Sequence, residues 1–170
     1  MNTFIKILLS LLLVALGYYT VQNPQIANLF PLTKLNLIIG LSSVLIFFVA
    51  VAFYCLALQR LMNQIDPHCR TREPRAVWYM YLLPYNFIED FFIIFDIVSS
   101  LRNQAQIDQR LIKFGDFGLT LGIGWCLAQL LSFIPNIVGQ IAGVIGVFLW
   151  IAHWMLMAKI YKFLKTTPTV

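Results

Sequence analysis

Four stretches of the chain, at about 4–21, 37–58, 117–134 and 137–158, are almost without charge. Each approaches the roughly 20 apolar residues that a helix needs to cross the hydrocarbon core of a bilayer. The third and fourth are separated only by Pro135 and Asn136. So short a connector predicts an antiparallel helical hairpin, with the proline ending one helix at the membrane surface. A fifth apolar stretch, 76–98, is long enough to span but carries Pro84, Asn86, Glu89, Asp90 and Asp96. An ionised residue near the centre of a span costs about 2.5–3.5 kcal/mol, which argues against this stretch as a span. Its polar positions Asn86, Glu89, Asp90, Asp96 and Ser100 recur at helical spacing among phenylalanines and isoleucines, so the segment reads as an amphipathic helix. Pro84 separates it from the aromatic run Trp78 to Tyr81. The pattern predicts either an interfacial helix or a re-entrant hairpin, and Trp and Tyr, which favour the headgroup level, point to the interfacial form.

The distribution of charge then orients the chain. All seven acidic residues and all six arginines lie between Arg60 and Asp116. With four spans, Lys6, the seven basic residues from Arg60 to Lys113, and Lys159, Lys162 and Lys165 share one side, leaving only Lys34 opposite. By the positive-inside rule both termini and the segment 59–116 are cytoplasmic, and a fifth span would break the pattern. The expected fold is all-α, a single polytopic membrane domain of four transmembrane helices with a membrane-apposed cytoplasmic helix. The expected location is the bacterial inner membrane. After Lys6 the first apolar run lacks a small-x-small exit at Gly17 to Gln22, which favours an uncleaved anchor over a removed signal.

At 60% hydrophobic and 11% charged, with mean hydropathy +0.80, the composition excludes an ordinary soluble domain. The net charge of +5 sits at the ends of apolar segments rather than on a face with stacking aromatics, so no nucleic-acid partner is expected. Cys55, Cys69 and Cys126 are scattered, and His68 and Cys69 are adjacent without a second ligand pair. Neither a disulfide framework, a metal site nor a cofactor is predicted.

The candidate functional cap comprises Arg70, Arg72, Arg75, Trp78, Asn86, Glu89, Asp90, Asp96 and Arg102. Acidic residues beside anionic headgroups need compensation, so Glu89, Asp90 and Asp96 are expected to pair with Arg70, Arg72, Arg75 or Arg102. In the hairpin, Gly118 and Gly122 form one GxxxG, Gly139 and Gly143 another, and Gly146 adds a small position. A turn centred on Pro135 and Asn136 would set Trp125 against Gly146, Gln129 against Ala142, Ser132 against Gly139, and Gly122 against Leu149 and Trp150. The same register brings His153 near Gly118 and suggests a polar pair with Asp116.

The run Arg72-Glu73-Pro74 through Trp78, followed by Leu83-Pro84-Tyr85-Asn86, resembles a group of small uncharacterised bacterial four-span membrane proteins. Those proteins have an Arg/Pro approach, a Trp and a Pro-x-x-Asn-like break in the central segment; here the spacing after Pro84 is shorter. The resemblance implies architecture and no activity. The functional expectation is a non-enzymatic accessory or interaction protein in contact with membrane lipids, with a membrane-protein partner or a second copy of itself. The alternatives are an immunity protein against a membrane-active toxin, a small oligomeric channel or transporter, and a lipid-modifying enzyme.

Overall fold

The structure is a computed structural model that describes residues 34–82, 84–134 and 136–166. The expected first span, 4–21, lies outside the described residues. All regular structure among them is helical. Helix α1 covers Lys34–Gln64, α2 Asn86–Ile107, α3 Leu119–Leu131 and α4 Ile137–Thr166, with short 3-10 segments at Pro67–Cys69, Pro74–Tyr81 and Gln109–Phe114.

Helices α1 and α4 are both long and apolar enough to cross a membrane. Residues 41–47 of α1 are exposed around the whole helix, and Ile141, Val144, Ile145 and Phe148 of α4 are exposed as well. Apolar side chains exposed on so much of two long helices suit association with a membrane. The third expected span is realised as a helix of 13 residues, about 20 Å long at 1.5 Å per residue.

Helix α1 stops where Asp66 and Pro67 follow. The Asp66 carboxylate accepts the His68 N–H at 2.9 Å, while Arg70 donates to the carbonyls of Ile65 at 2.9 Å and Asn63 at 3.2 Å. These bonds satisfy groups that a helix end leaves open. From Pro74 the chain runs back alongside α1. Trp78 Nε1 donates to Gln59 Oε1 at 2.8 Å, Cys55 Sγ to the Val77 carbonyl at 3.6 Å, and the Tyr81 hydroxyl to the Phe48 carbonyl. The arm thus descends along about 16 Å of α1.

The chain then reverses and α2 climbs back. Its first turn touches the α3–α4 turn through the Phe87 and Phe133 rings, 5.0 Å apart, and Ile94 packs on Gly122. Its far end meets the end of α1, where Gln104 Oε1 accepts the Asp66 N–H at 2.8 Å. The segment 76–98 is therefore a hairpin whose arm lies against α1 and whose helix lies against α3. Trp78 and Tyr81 are half-buried on α1 and Tyr79 is exposed, a division that hydropathy alone does not make.

The α3–α4 hairpin forms as expected, but its register differs. A Cβ on Gly146 would stand 3.2 Å from the Ala128 Cβ, one on Gly143 would stand 3.5 Å from the Ser132 Cβ, and one on Gly122 would stand 3.3 Å from His153. The expected apposition of Gly146 with Trp125, and of Gly122 with Leu149 and Trp150, is displaced by about one helical turn. The cause is the turn itself. Helix α3 ends at Leu131, and the next residues close in successive backbone bonds, Phe133 N–H to Leu130 O at 3.2 Å and Ile134 N–H to Leu131 O at 3.0 Å. Asn136 then caps α4 by accepting the N–H groups of Val138 at 2.9 Å and Gly139 at 3.2 Å. Gly139 does lie near Ser132, as expected, with no room for a side chain against the Ile134 carbonyl.

Gly122 is where α2, α3 and α4 come closest, since a Cβ there would lie 2.5 Å from Cγ2 of the fully buried Ile94. Gly122→Ala should therefore lower stability by about 1–3 kcal/mol through overpacking. Gly143→Ala, whose new methyl meets only ordinary contact, should be neutral or stabilising because alanine favours the helix by roughly 1 kcal/mol. Thermal unfolding of both variants in detergent checks the contrast, and equal behaviour would refute this three-helix junction.

Candidate functional site

Glu89 and Asp96 are seven residues apart, two turns of α2, and so share a face. That face meets Arg72 on the chain leading into the arm. Arg72 Nη1 lies 2.6 Å from Glu89 Oε1, and Arg72 Nε lies 2.7 Å from Asp96 Oδ2. The polar zipper continues along the helix. The Thr71 N–H donates to Ser100 Oγ at 3.0 Å, the Thr71 hydroxyl to the Asp96 carbonyl at 2.8 Å, and Asn103 Nδ2 to the Cys69 carbonyl at 3.1 Å. Arg72 is thus the counter-ion among the four arginines considered. Arg70 is committed to the end of α1, while Arg75 and Arg102 point to the exterior.

Asp90 follows Glu89 but lies about 100° further round the helix, away from Arg72. It is 3% exposed, and its Oδ1 has no hydrogen-bond partner among the described residues. Burial, and after it the neighbouring Glu89 carboxylate, hold its carboxyl well above the usual range, so the neutral form is favoured. Asp90 lines a half-open chamber of about 530 Å³ bordered by α1, Met80 of the arm, the start of α2, the end of α3 and the middle of α4. Asn86, Tyr54 and Trp125 border it with Asp90, and the exposed Val44, Phe47 and Val147 form its rim.

Behind the chamber, the Tyr54 hydroxyl and His153 Nδ1 are 2.8 Å apart, both residues fully enclosed. Tyr54 also makes edge contacts with the rings of Trp125, Trp150 and Trp154, at centroid distances of 6.2, 5.5 and 5.9 Å. It joins α1, α3 and α4. His153 does lie beside Gly118, as expected, and within electrostatic reach of Asp116, but its hydrogen bond is made to Tyr54. Phe117 and Gly118 adopt left-handed conformations, φ 58° and 82°, and Asp116 turns onto the start of α3. There its carboxylate accepts the N–H groups of Gly118 at 3.0 Å and Thr120 at 2.8 Å. The Thr120 hydrogen bonds lead the effects that lower the Asp116 pKa. Sequence reasoning passed over Tyr54, although it is the one phenolic hydroxyl in the apolar run 37–58.

The sequence-predicted residues therefore divide into two groups. Arg72, Glu89 and Asp96 form a clasp, whereas Asn86 and Asp90 open on the chamber. Trp78 braces the arm on α1. Comparison of the chain with protein-family models, curated proteins and solved structures finds no match, so the functional reading rests on this geometry.

The two adjacent carboxyls should respond oppositely to neutralisation. Glu89→Gln removes a buried charged partner of Arg72 and should cost about 1–3 kcal/mol. Asp90 retains its proton to higher pH when folded than when unfolded, so its contribution to stability falls as pH rises above the unfolded carboxylate range. Asp90→Asn should consequently raise the melting temperature at pH 8 and have little effect below about pH 4, where both states are protonated. Melting curves across this range check the sign. A loss of stability at pH 8 would show that the carboxylate has a stabilising partner.

Proposed function

We propose that this chain is a non-enzymatic integral membrane protein of the bacterial inner membrane, an accessory or interaction subunit whose working surface is its basic cytoplasmic end. The observation that carries this reading is the segregation of its surface. Exposed apolar side chains cover α1 and α4, while in the segments that converge at one end the exposed Arg60, Arg75, Arg102, Arg110, Lys113, Lys159, Lys162 and Lys165 outnumber the exposed Asp66, Glu73 and Asp116. Lys113 Nζ lies 3.6 Å from the Phe163 ring centroid, and the Phe114 and Phe163 rings are 5.6 Å apart, tying the segment before α3 to the end of α4. A rigid end of this charge suits anionic headgroups and an acidic surface on a membrane-protein partner.

In this reading four helices span the bilayer, both termini are cytoplasmic, and the arm with α2 is a re-entrant hairpin. The Arg72 clasp supports re-entry because it compensates charges that would otherwise be costly beside lipid. Fusions of a topology reporter after Val170 and near Arg102 should both report cytoplasm, and one near Gln25 should report the opposite side. An external signal at Arg102 would exclude the four-span arrangement.

The interaction role has a separate test. Arg75 and Arg102 are exposed and outside the clasp, so the double variant Arg75→Glu, Arg102→Glu should melt like the native protein. Quantitative purification from native membranes should nonetheless recover at least tenfold less of the partner that the native chain retains. Equal recovery would remove this end as the interaction surface.

A further inference from the structure

Four buried side-chain polar atoms among the described residues lack a hydrogen-bond partner of ordinary geometry, namely Asn86 Oδ1, Asp90 Oδ1, Trp125 Nε1, which has the Tyr54 hydroxyl as a neighbour, and His153 Nε2. Such atoms are rare in folded proteins because each one costs desolvation energy without return. Three of the four residues border the same chamber, and the fourth contacts Tyr54, which borders it too. Their convergence marks the place where a bound molecule would supply the missing partners.

The chemistry of the wall narrows the class of molecule. Phe48, Phe87, Phe133 and Trp150 line the chamber, so most of a ligand's surface would meet apolar and aromatic groups. On its wall stand a carboxyl with no counter-ion among the described residues and an amide oxygen, while Arg72 is engaged by Glu89 and Asp96. An anion would be repelled by the carboxylate form and would find no cation. A protonated amine supplies donors to both oxygens and a positive charge that the faces of Tyr54, Trp125 and Trp150 attract. The volume, about 530 Å³, falls in the range of small-molecule sites.

We propose that this chamber is a binding site for a lipophilic monovalent organic amine, with Asp90 as the counter-ion, Asn86 as a second acceptor and the aromatic walls enclosing its apolar body. This assignment goes beyond the accessory role and does not depend on a protein partner. It also gives a reason for retaining an unpaired carboxyl at a position where asparagine would be cheaper, since intramembrane ionisable groups are characteristically functional.

Three isosteric probes test it on the full chain in nanodiscs, 4-phenylbutylamine, 4-phenylbutanol and 4-phenylbutanoate, by equilibrium dialysis against empty nanodiscs at pH 7. The amine should bind saturably at one site and at least tenfold more tightly than the alcohol, and the acid should not bind. Asp90→Asn should reduce amine affinity at least tenfold and leave the alcohol unchanged, with folding verified by its melting curve. Val147→Trp, which fills the rim without touching the carboxyl, should abolish binding of both. Equal affinity for amine and alcohol, or an unaltered amine affinity in Asp90→Asn, would overturn the assignment. So would the absence of saturable binding by every probe, as when another stretch of the chain occupies the chamber. Failure here leaves the basic-end interaction test untouched, and the reverse also holds.

Discussion

The double pairing of Arg72 with Glu89 and Asp96 is the interaction on which the arrangement of the polypeptide turns. A buried carboxylate is costly unless it is paired, and one guanidinium, with donors spread over a planar fork, can serve two carboxylates stacked on one face of a helix. The pairing fixes the chain before Pro74 against the face of α2. With that edge held, the apolar face of α2 is free to turn toward Gly122 and the α3–α4 hairpin. Removing the arginine would take from the buried Glu89 its charged partner and loosen the chain before Pro74 from α2.

The same pairing explains why neighbouring acids have different fates. Glu89 and Asp90 are alike in sequence terms, but a helix separates consecutive side chains by about 100°. One falls under the guanidinium and the other over the chamber. The first supports the fold; the second is a carboxyl held toward its neutral form by burial, with an oxygen that nothing else in the described structure answers. This division between a stabilising residue and a costly one is a common pattern where a binding function is maintained against stability.

Much of the frame was legible from residue pattern. The long apolar runs appear as α1 and α4, the two-residue Pro-Asn connector marks the hairpin, and the 3.6-residue recurrence of polar positions locates α2 and its need for arginine. What escaped depended on distances the pattern does not encode. Hydropathy reports that Trp78 and Tyr81 are amphipathic but not that they lie along α1. The register slipped because the backbone bonds after Leu131 consume residues that a centred turn would leave in the helix. The Tyr54–His153 contact joins positions 99 residues apart, and helical spacing relates only near neighbours. A clearer signal was available in the lone tyrosine of an apolar run, whose hydroxyl demands a partner when buried.

The inequality of the two hairpin helices has a consequence for the surrounding lipid. Helix α4 has 30 residues and α3 only 13, about 45 Å against 20 Å, while a typical hydrocarbon core is roughly 30 Å thick. A bilayer that accommodates α4 by tilt cannot match α3 in the same way. With α3 spanning as proposed, acyl chains beside it would compress, or its polar turn would draw headgroups inward, at a cost of fractions of a kcal/mol per ångström. The protein would then carry a collar of thinned membrane on one side, favouring shorter-chain lipids there and drawing other short-spanning helices to the same flank.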